Sequence, residues 1–318
     1  MSNEETFLMK PKVDFCFKEL MEDAEIRRGF ISALLGVKPE DIEETELLPT
    51  HLRREHKEDK LGILDIRVFI RDRRKGENHS SNGKSQMDLE IQLAPFPLWP
   101  ERSVFYLAKM FTGEIKKGES YDMLQKCIHV GILDFFLFPE DEEFYSRFHL
   151  WEDDRRRMYT DKLEIHILEL PKLKEREYPE TELLNWARFF NAEHKEEFEM
   201  AAEANSYIER AYGKLAQLSA DEMKRLEYEA REKAIRDHNY LMKYNLEQGM
   251  KKGLEEGHKS GLEKGRKEGM AQGLKAFIEI CQDCSFSKED TLARLIEKFS
   301  ISQNEAEEFL KKYWKSES

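Results

Sequence analysis

Two acidic residues in strand-like segments, Asp65 and Glu90, are placed to do chemistry. From Gln86 to Leu93 polar and apolar residues alternate strictly. Met87, Leu89, Ile91 and Leu93 therefore share one strand face, and Gln86, Asp88, Glu90 and Gln92 share the other. Over residues 61–70 one face holds Leu64, Ile66, Val68 and Ile70, while Asp65 falls on the opposite face with Leu61, Ile63, Arg67 and Phe69. A carboxylate in so apolar a row needs a partner, a proton or a bound cation to offset its desolvation. Residues 71–85 are polar and include Gly76 and Gly83, so the two strands are expected to form an antiparallel hairpin. The register that aligns their apolar faces sets Asp65 opposite Glu90 and Arg67 opposite Asp88, with facing Cβ atoms about 4.5–5.5 Å apart. Carboxylates that close repel unless a cation lies between them, and a hard divalent ion such as Mg²⁺ suits their oxygens.

The surrounding segments must hold these strands. Leu20, Ala24, Arg27, Phe30, Ile31, Leu34 and Leu35 follow helical spacing, which predicts one helix over residues 20–35 stopped by Gly36. Further β-rich runs cover 128–138 and 163–170. A helix over 102–115 is expected after Pro95, Pro97 and Pro100, between the second and third strands. Beyond Pro179 the pattern turns almost purely helical to about Gln248. The expected architecture is an α/β core over residues 1–180 with a C-terminal α-helical extension over 181–248.

The tail is the most regular part of the chain. Gly249, Gly253, Gly257, Gly261, Gly265, Gly269 and Gly273 recur at every fourth position. In a helix these glycines cost roughly 6 kcal/mol against alanine, which favours reading 249–274 as a flexible charged linker. The strict period favours the other reading, a helix whose glycine track admits a second helix. On that basis residues 249–318 are the expected site of homo-oligomerisation or partner docking. Residues 275–318 form a small helical module, in which Ser287 and Ser302 are placed to cap two helices. Both a helix-turn-helix and a protein-interaction module fit that pair.

Composition narrows the class. The 318 residues are 37% charged and 40% hydrophobic, enough for a folded core. No apolar run is long enough for a membrane helix, the first residues do not resemble a signal peptide, and four cysteines are too few for a disulfide framework. A cytoplasmic protein is the expectation. The net charge of −13 opposes contact with a polyanion, but the basic residues concentrate locally between His51 and Lys75. That run supplies Arg53, Arg54, Lys60 and Arg67 as candidate phosphate contacts; it also reads as a solvated charged loop. Cys281 and Cys284 have a zinc-like spacing but lack a second ligand pair.

Several short motifs now fall into one order: Pro11 and Asp14-Phe15-Cys16-Phe17-Lys18; Asp59-Lys60 before Leu64-Asp65-Ile66; Glu90-Ile91-Gln92; Glu101-Arg102, Tyr106 and Gly118-Glu119-Ser120-Tyr121. In order and spacing the chain resembles the recombination-promoting nuclease and transposase family of the PD-(D/E)XK nuclease superfamily. The resemblance implies a restriction-endonuclease-like αβββαβ core and a metal-dependent phosphodiesterase acting on DNA, in recombination, mobile-element biology or defence. It implies Asp65 and Glu90 as metal ligands, with Asp14 assisting, and Gln92 as a catalytic residue where the superfamily has Lys. Lys18 and Arg102 join the candidate DNA contacts. Gln92 can orient water or phosphate but supplies no charge. A second class therefore stays open: a weak or inactive nuclease fold working as a DNA-binding or protein-interaction module through its tail.

Overall fold

The computed structural model describes residues 7–51, 64–72, 84–113, 115 and 118–314. They form two compact units, Met1–Asn239 and Tyr240–Ser318.

The first unit is built on a six-stranded mixed sheet. Helices α1 (Asp14–Glu22) and α2 (Ala24–Leu35) precede strands β1 (Ile42–Leu48), β2 (Ile66–Asp72) and β3 (Lys84–Gln92). Helix α3 (Trp99–Thr112) then leads to β4 (Lys126–Leu133), β5 (Tyr145–Trp151) and β6 (Met158–Glu169). This is the expected αβββαβ core with two further strands. The strand order is β1-β2-β3-β4-β6-β5. Strands β2 and β3 are antiparallel, whereas β4 runs parallel to both β3 and β6. The α3 crossover supplies the connection that parallel strands require.

The hairpin register agrees with expectation: Arg67 pairs with Asp88 and Ile66 with Leu89. The ladder begins at Ile66, so Asp65 stands just outside it, at the strand end nearest Glu90. The single helix expected over 20–35 is two helices. Asp23 breaks it by accepting hydrogen bonds from the backbone amides of Glu25 and Ile26, a side-chain cap that apolar spacing does not reveal. Gly36 ends α2 in the left-handed region, at φ 63°.

Across β2, β3 and β4 the two sheet faces differ. One face carries Ile66, Val68, Ile70, Met87, Leu89, Ile91, Ile128, Val130 and Ile132, all within the main core. Helices α4 (Glu182–Asn191), α5 (Lys195–Ala204) and α6 (Ser206–Ala220) contribute Trp186, Phe190, Phe198, Ile208 and Leu215 to that same core. The helices that follow residue 180 thus pack into the same core as the sheet. The reason is their large apolar faces, which must be buried against something.

Helix α7 (Glu222–Asp283) begins in the first unit and continues through the glycine repeat. Residues 249–274 are thus helical. In the second unit the end of α7 packs with α8 (Lys288–Phe299) and α9 (Gln303–Tyr313) around Leu274, Ile278, Leu295, Ala306 and Leu310. Ser287 and Ser302 cap α8 and α9 as expected. Among the described residues, no helix is long and apolar enough to cross a membrane.

Candidate active site

The opposite face of β2–β4 is polar yet buried. Gln86, Asp88 and Glu90 follow one another along β3, and Cys127, His129 and Gly131 along β4. Asp88 and His129 are fully buried, and Glu90 is 3% exposed. Helix α3 covers them with Trp99, Tyr106, Leu107 and Met110. A side chain at Gly131 would leave Trp99 no room, since a Cβ there would stand 2.7 Å from the indole Cζ2. Glycine at this register position lets the indole lie over the strand beside His129.

Parallel pairing sets Asp88 against His129, and the imidazole Nδ1 and the carboxylate Oδ2 share a 2.7 Å hydrogen bond. The ligand atoms of Asp88, Glu90 and His129 lie within 4.8 Å of one another. One atom of each, Asp88 Oδ1, Glu90 Oε2 and His129 Nε2, has no hydrogen-bond partner despite burial. Such orphaned atoms are costly in a protein interior. Burial pushes the Glu90 carboxyl up to about 7, and neighbouring Asp88 adds to the rise; His129 and Arg102 oppose it. Burial likewise raises Asp88, against the opposing effect of His129. A cation among these groups would reverse both effects.

A cleft of about 350 Å³ opens beside Glu90. Asp14, Asp65, Glu90, Gln92 and Arg102 line it, so five residues singled out from sequence meet there. Each of the three acids has a basic side chain within 4 Å. Lys18 Nζ lies 3.0 Å from Asp65 and 3.9 Å from Asp14. The Arg102 guanidinium bonds the Glu90 carboxylate and packs against the rings of Phe96, Trp99 and Tyr106. Arg231, from the start of α7, stands 3.8 Å from Asp14. Gln92 donates from Nε2 to the Ala94 carbonyl at 3.0 Å, which fixes its amide at the cleft floor.

Not every predicted residue converges. Neither Asp14 nor Asp65 belongs to the close group formed by Asp88, Glu90 and His129. Arg67 pairs with Asp88 in the β2–β3 ladder and donates to Gln86 at 3.0 Å. Arg53, Arg54 and Lys60 lie outside the described residues. Of the arginines and lysines in the basic run, only Arg67 and Arg71 lie among the described residues, both on β2. Arg71 stands six residues beyond Asp65, roughly 20 Å away along the strand. Cys281 is buried in the second unit and Cys284 exposed, and both are free thiols. Asp88 and Arg231 were not singled out as site residues, and neither was His129. The strict alternation had already put Asp88 on the same face as Glu90, but no local pattern announces a partner on the next parallel strand. A larger cavity, about 1050 Å³, opens near Gly36, Tyr145 and Tyr178; none of the predicted site residues lines it.

An αβββαβ sheet with acids gathered at the end of its central hairpin defines a fold of the PD-(D/E)XK nuclease type. The chain belongs to the PD-(D/E)XK nuclease family transposases, whose family pattern matches residues 11–245. No curated protein and no solved structure gives a significant match. The match extends past α6 into α7, and so includes Arg231 and the rest of that cleft wall.

Proposed function

We propose that this protein is a metal-dependent DNA endonuclease that hydrolyses phosphodiester bonds at the cleft between Asp65 and Glu90. The observation that carries this reading is the meeting of Asp14, Asp65, Glu90 and Gln92 with Arg102 and Arg231 in one cleft, with Lys18 paired to Asp65. The orphaned Glu90 Oε2 and the raised Glu90 carboxyl fit a divalent cation, because its charge would satisfy both. Asp65 and Glu90 would hold the ion, with Asp14 assisting and Mg²⁺ the first candidate. When bound, such an ion polarises a phosphoryl oxygen and lowers the pKa of a water.

The remaining work falls to the chain's own groups. Gln92, fixed by its bond to Ala94, offers its carbonyl oxygen to align the attacking water. The positive charge that Gln92 lacks is supplied by Lys18, whose ammonium already sits beside Asp65. Arg102 exchanges its bond to Glu90 for a phosphate oxygen, and the aromatic rings around it keep the guanidinium in place.

Nicking of supercoiled plasmid with Mg²⁺ tests the reading. Wild type is expected to nick, and Asp65→Ala and Glu90→Ala each to lose at least a hundredfold in rate. Absence of cleavage, or cleavage that survives both substitutions, contradicts it.

We assign partner or self docking to residues 249–318. Gly249 to Gly269 have open space where a side chain would stand, and Met250, Leu254 and Leu262 are exposed along the same helix. Sedimentation of the full chain is expected to give a larger assembly than a chain truncated before Asn245. Equal monomeric masses would refute that assignment.

A further inference from the structure

The first part of α7 forms one wall of the cleft, and its residues keep a regular spacing. Lys224, Tyr228, Arg231, Ile235 and His238 fall three or four positions apart, the repeat of one helix face. Contacts confirm the face. Lys224 bonds Glu19 at 2.5 Å. The Tyr228 hydroxyl accepts from the Lys10 amide at 3.3 Å, and Ile235 packs against the main core. Arg231, between Tyr228 and Ile235, and His238, just beyond Ile235, line the cleft with Asp65 and Glu90.

Arg231 differs from the other arginines of this segment. Arg225 and Arg236 each bond a glutamate one turn away, at 3.1 and 3.0 Å. Arg231 reaches across to another helix, and its 3.8 Å approach to Asp14 is longer than a hydrogen bond. The side chain is 62% exposed, so water screens the pair and little holds it there. An exposed guanidinium, anchored by its helix and turned toward a cleft of carboxylates, suits an incoming phosphate better than its present partner. Its planar fork binds phosphate oxygens in pairs, which an ammonium cannot do.

We infer that Arg231 is a DNA-binding residue that grips a backbone phosphate next to the scissile one, exchanging Asp14 for that phosphate when DNA enters. The inference rests on the proposed nuclease reading and extends its substrate site to α7. As the guanidinium turns away, Asp14 keeps Lys18 at 3.9 Å and gains room to face the cation. One ion pair is thus replaced by two, Arg231 with phosphate and Asp14 with metal.

The test measures binding of a fluorescein-labelled 20-base-pair duplex to the full chain by anisotropy, with Ca²⁺ in place of Mg²⁺ to suppress turnover. Arg231→Gln is expected to weaken binding about tenfold, and to reduce the slope of log affinity against log salt by about one. Arg231→Lys should keep the slope while losing several-fold in affinity, because the charge remains and the fork does not. Arg236→Gln, off the cleft, should stay within twofold of wild type. If Arg231→Gln binds as wild type does, or if Arg236→Gln loses as much, the inference is overturned while the cleavage reading stands. If wild type does not bind the duplex at all, both are overturned.

Discussion

The central strands β2–β4 present two buried faces that obey different rules. Toward α1, α2 and α6 the side chains are Ile, Val, Leu and Met, and they join one continuous core. Toward α3 the same strands bury Gln86, Asp88, Glu90 and His129, with several polar atoms unpartnered. The first face stabilises the fold by removing apolar surface from water. The second works against stability, since burial raises Asp88 and Glu90 despite the opposing effect of His129 and Arg102. Such a row beneath a helix fits the cation-binding role proposed for that side. The contrast lies within single strands: Leu89 and Asp88 are neighbours in sequence and serve opposite ends.

Substitution at neighbouring positions can break or sharpen this contrast. The largest effect is expected on the apolar face, where Leu89→Ala should lower unfolding free energy by about 2–5 kcal/mol in urea denaturation. Cleavage by the folded fraction should persist. On the polar face, replacing the buried pair together by Asp88→Val and His129→Leu should leave stability within about 1 kcal/mol of wild type or raise it. That double variant should lose cleavage. If it is destabilised as strongly as Leu89→Ala, the polar row is structural and the contrast fails.

How much of this was legible in the sequence follows from the range of each interaction. Strand β3 was readable because eight residues alternate without a break, and its register with β2 followed from matching apolar faces. The edge strands β1 and β5 escaped notice, because both of their faces are largely open and their burial does not alternate. The two-helix start was hidden by Asp23, whose capping carboxylate leaves the apolar spacing intact. At the site, Asp65, Glu90 and Gln92 were visible from pattern and resemblance. His129 was not, because it reaches Asp88 across a parallel pairing 41 positions away in sequence. Arg231 was concealed for a similar reason. It lies in a helix that sequence reads as an extension, and long-range contacts of Lys224, Tyr228 and Ile235 dock the start of that helix.

The claim that Glu90 is kept buried for a cation can be tested by unfolding wild type and Glu90→Gln, each with EDTA and with Mg²⁺. Burial raises the Glu90 carboxyl to about 7. Without metal, the penalty for its charge is therefore full above that pH and disappears as pH falls toward the ordinary carboxylate range. In EDTA at pH 8, Glu90→Gln should be more stable than wild type by on the order of 2–3 kcal/mol, with the gap closing by pH 5. Mg²⁺ should stabilise wild type and leave Glu90→Gln unchanged. Equal stability of the two proteins in EDTA at both pH values, with Mg²⁺ shifting both alike, would contradict the account.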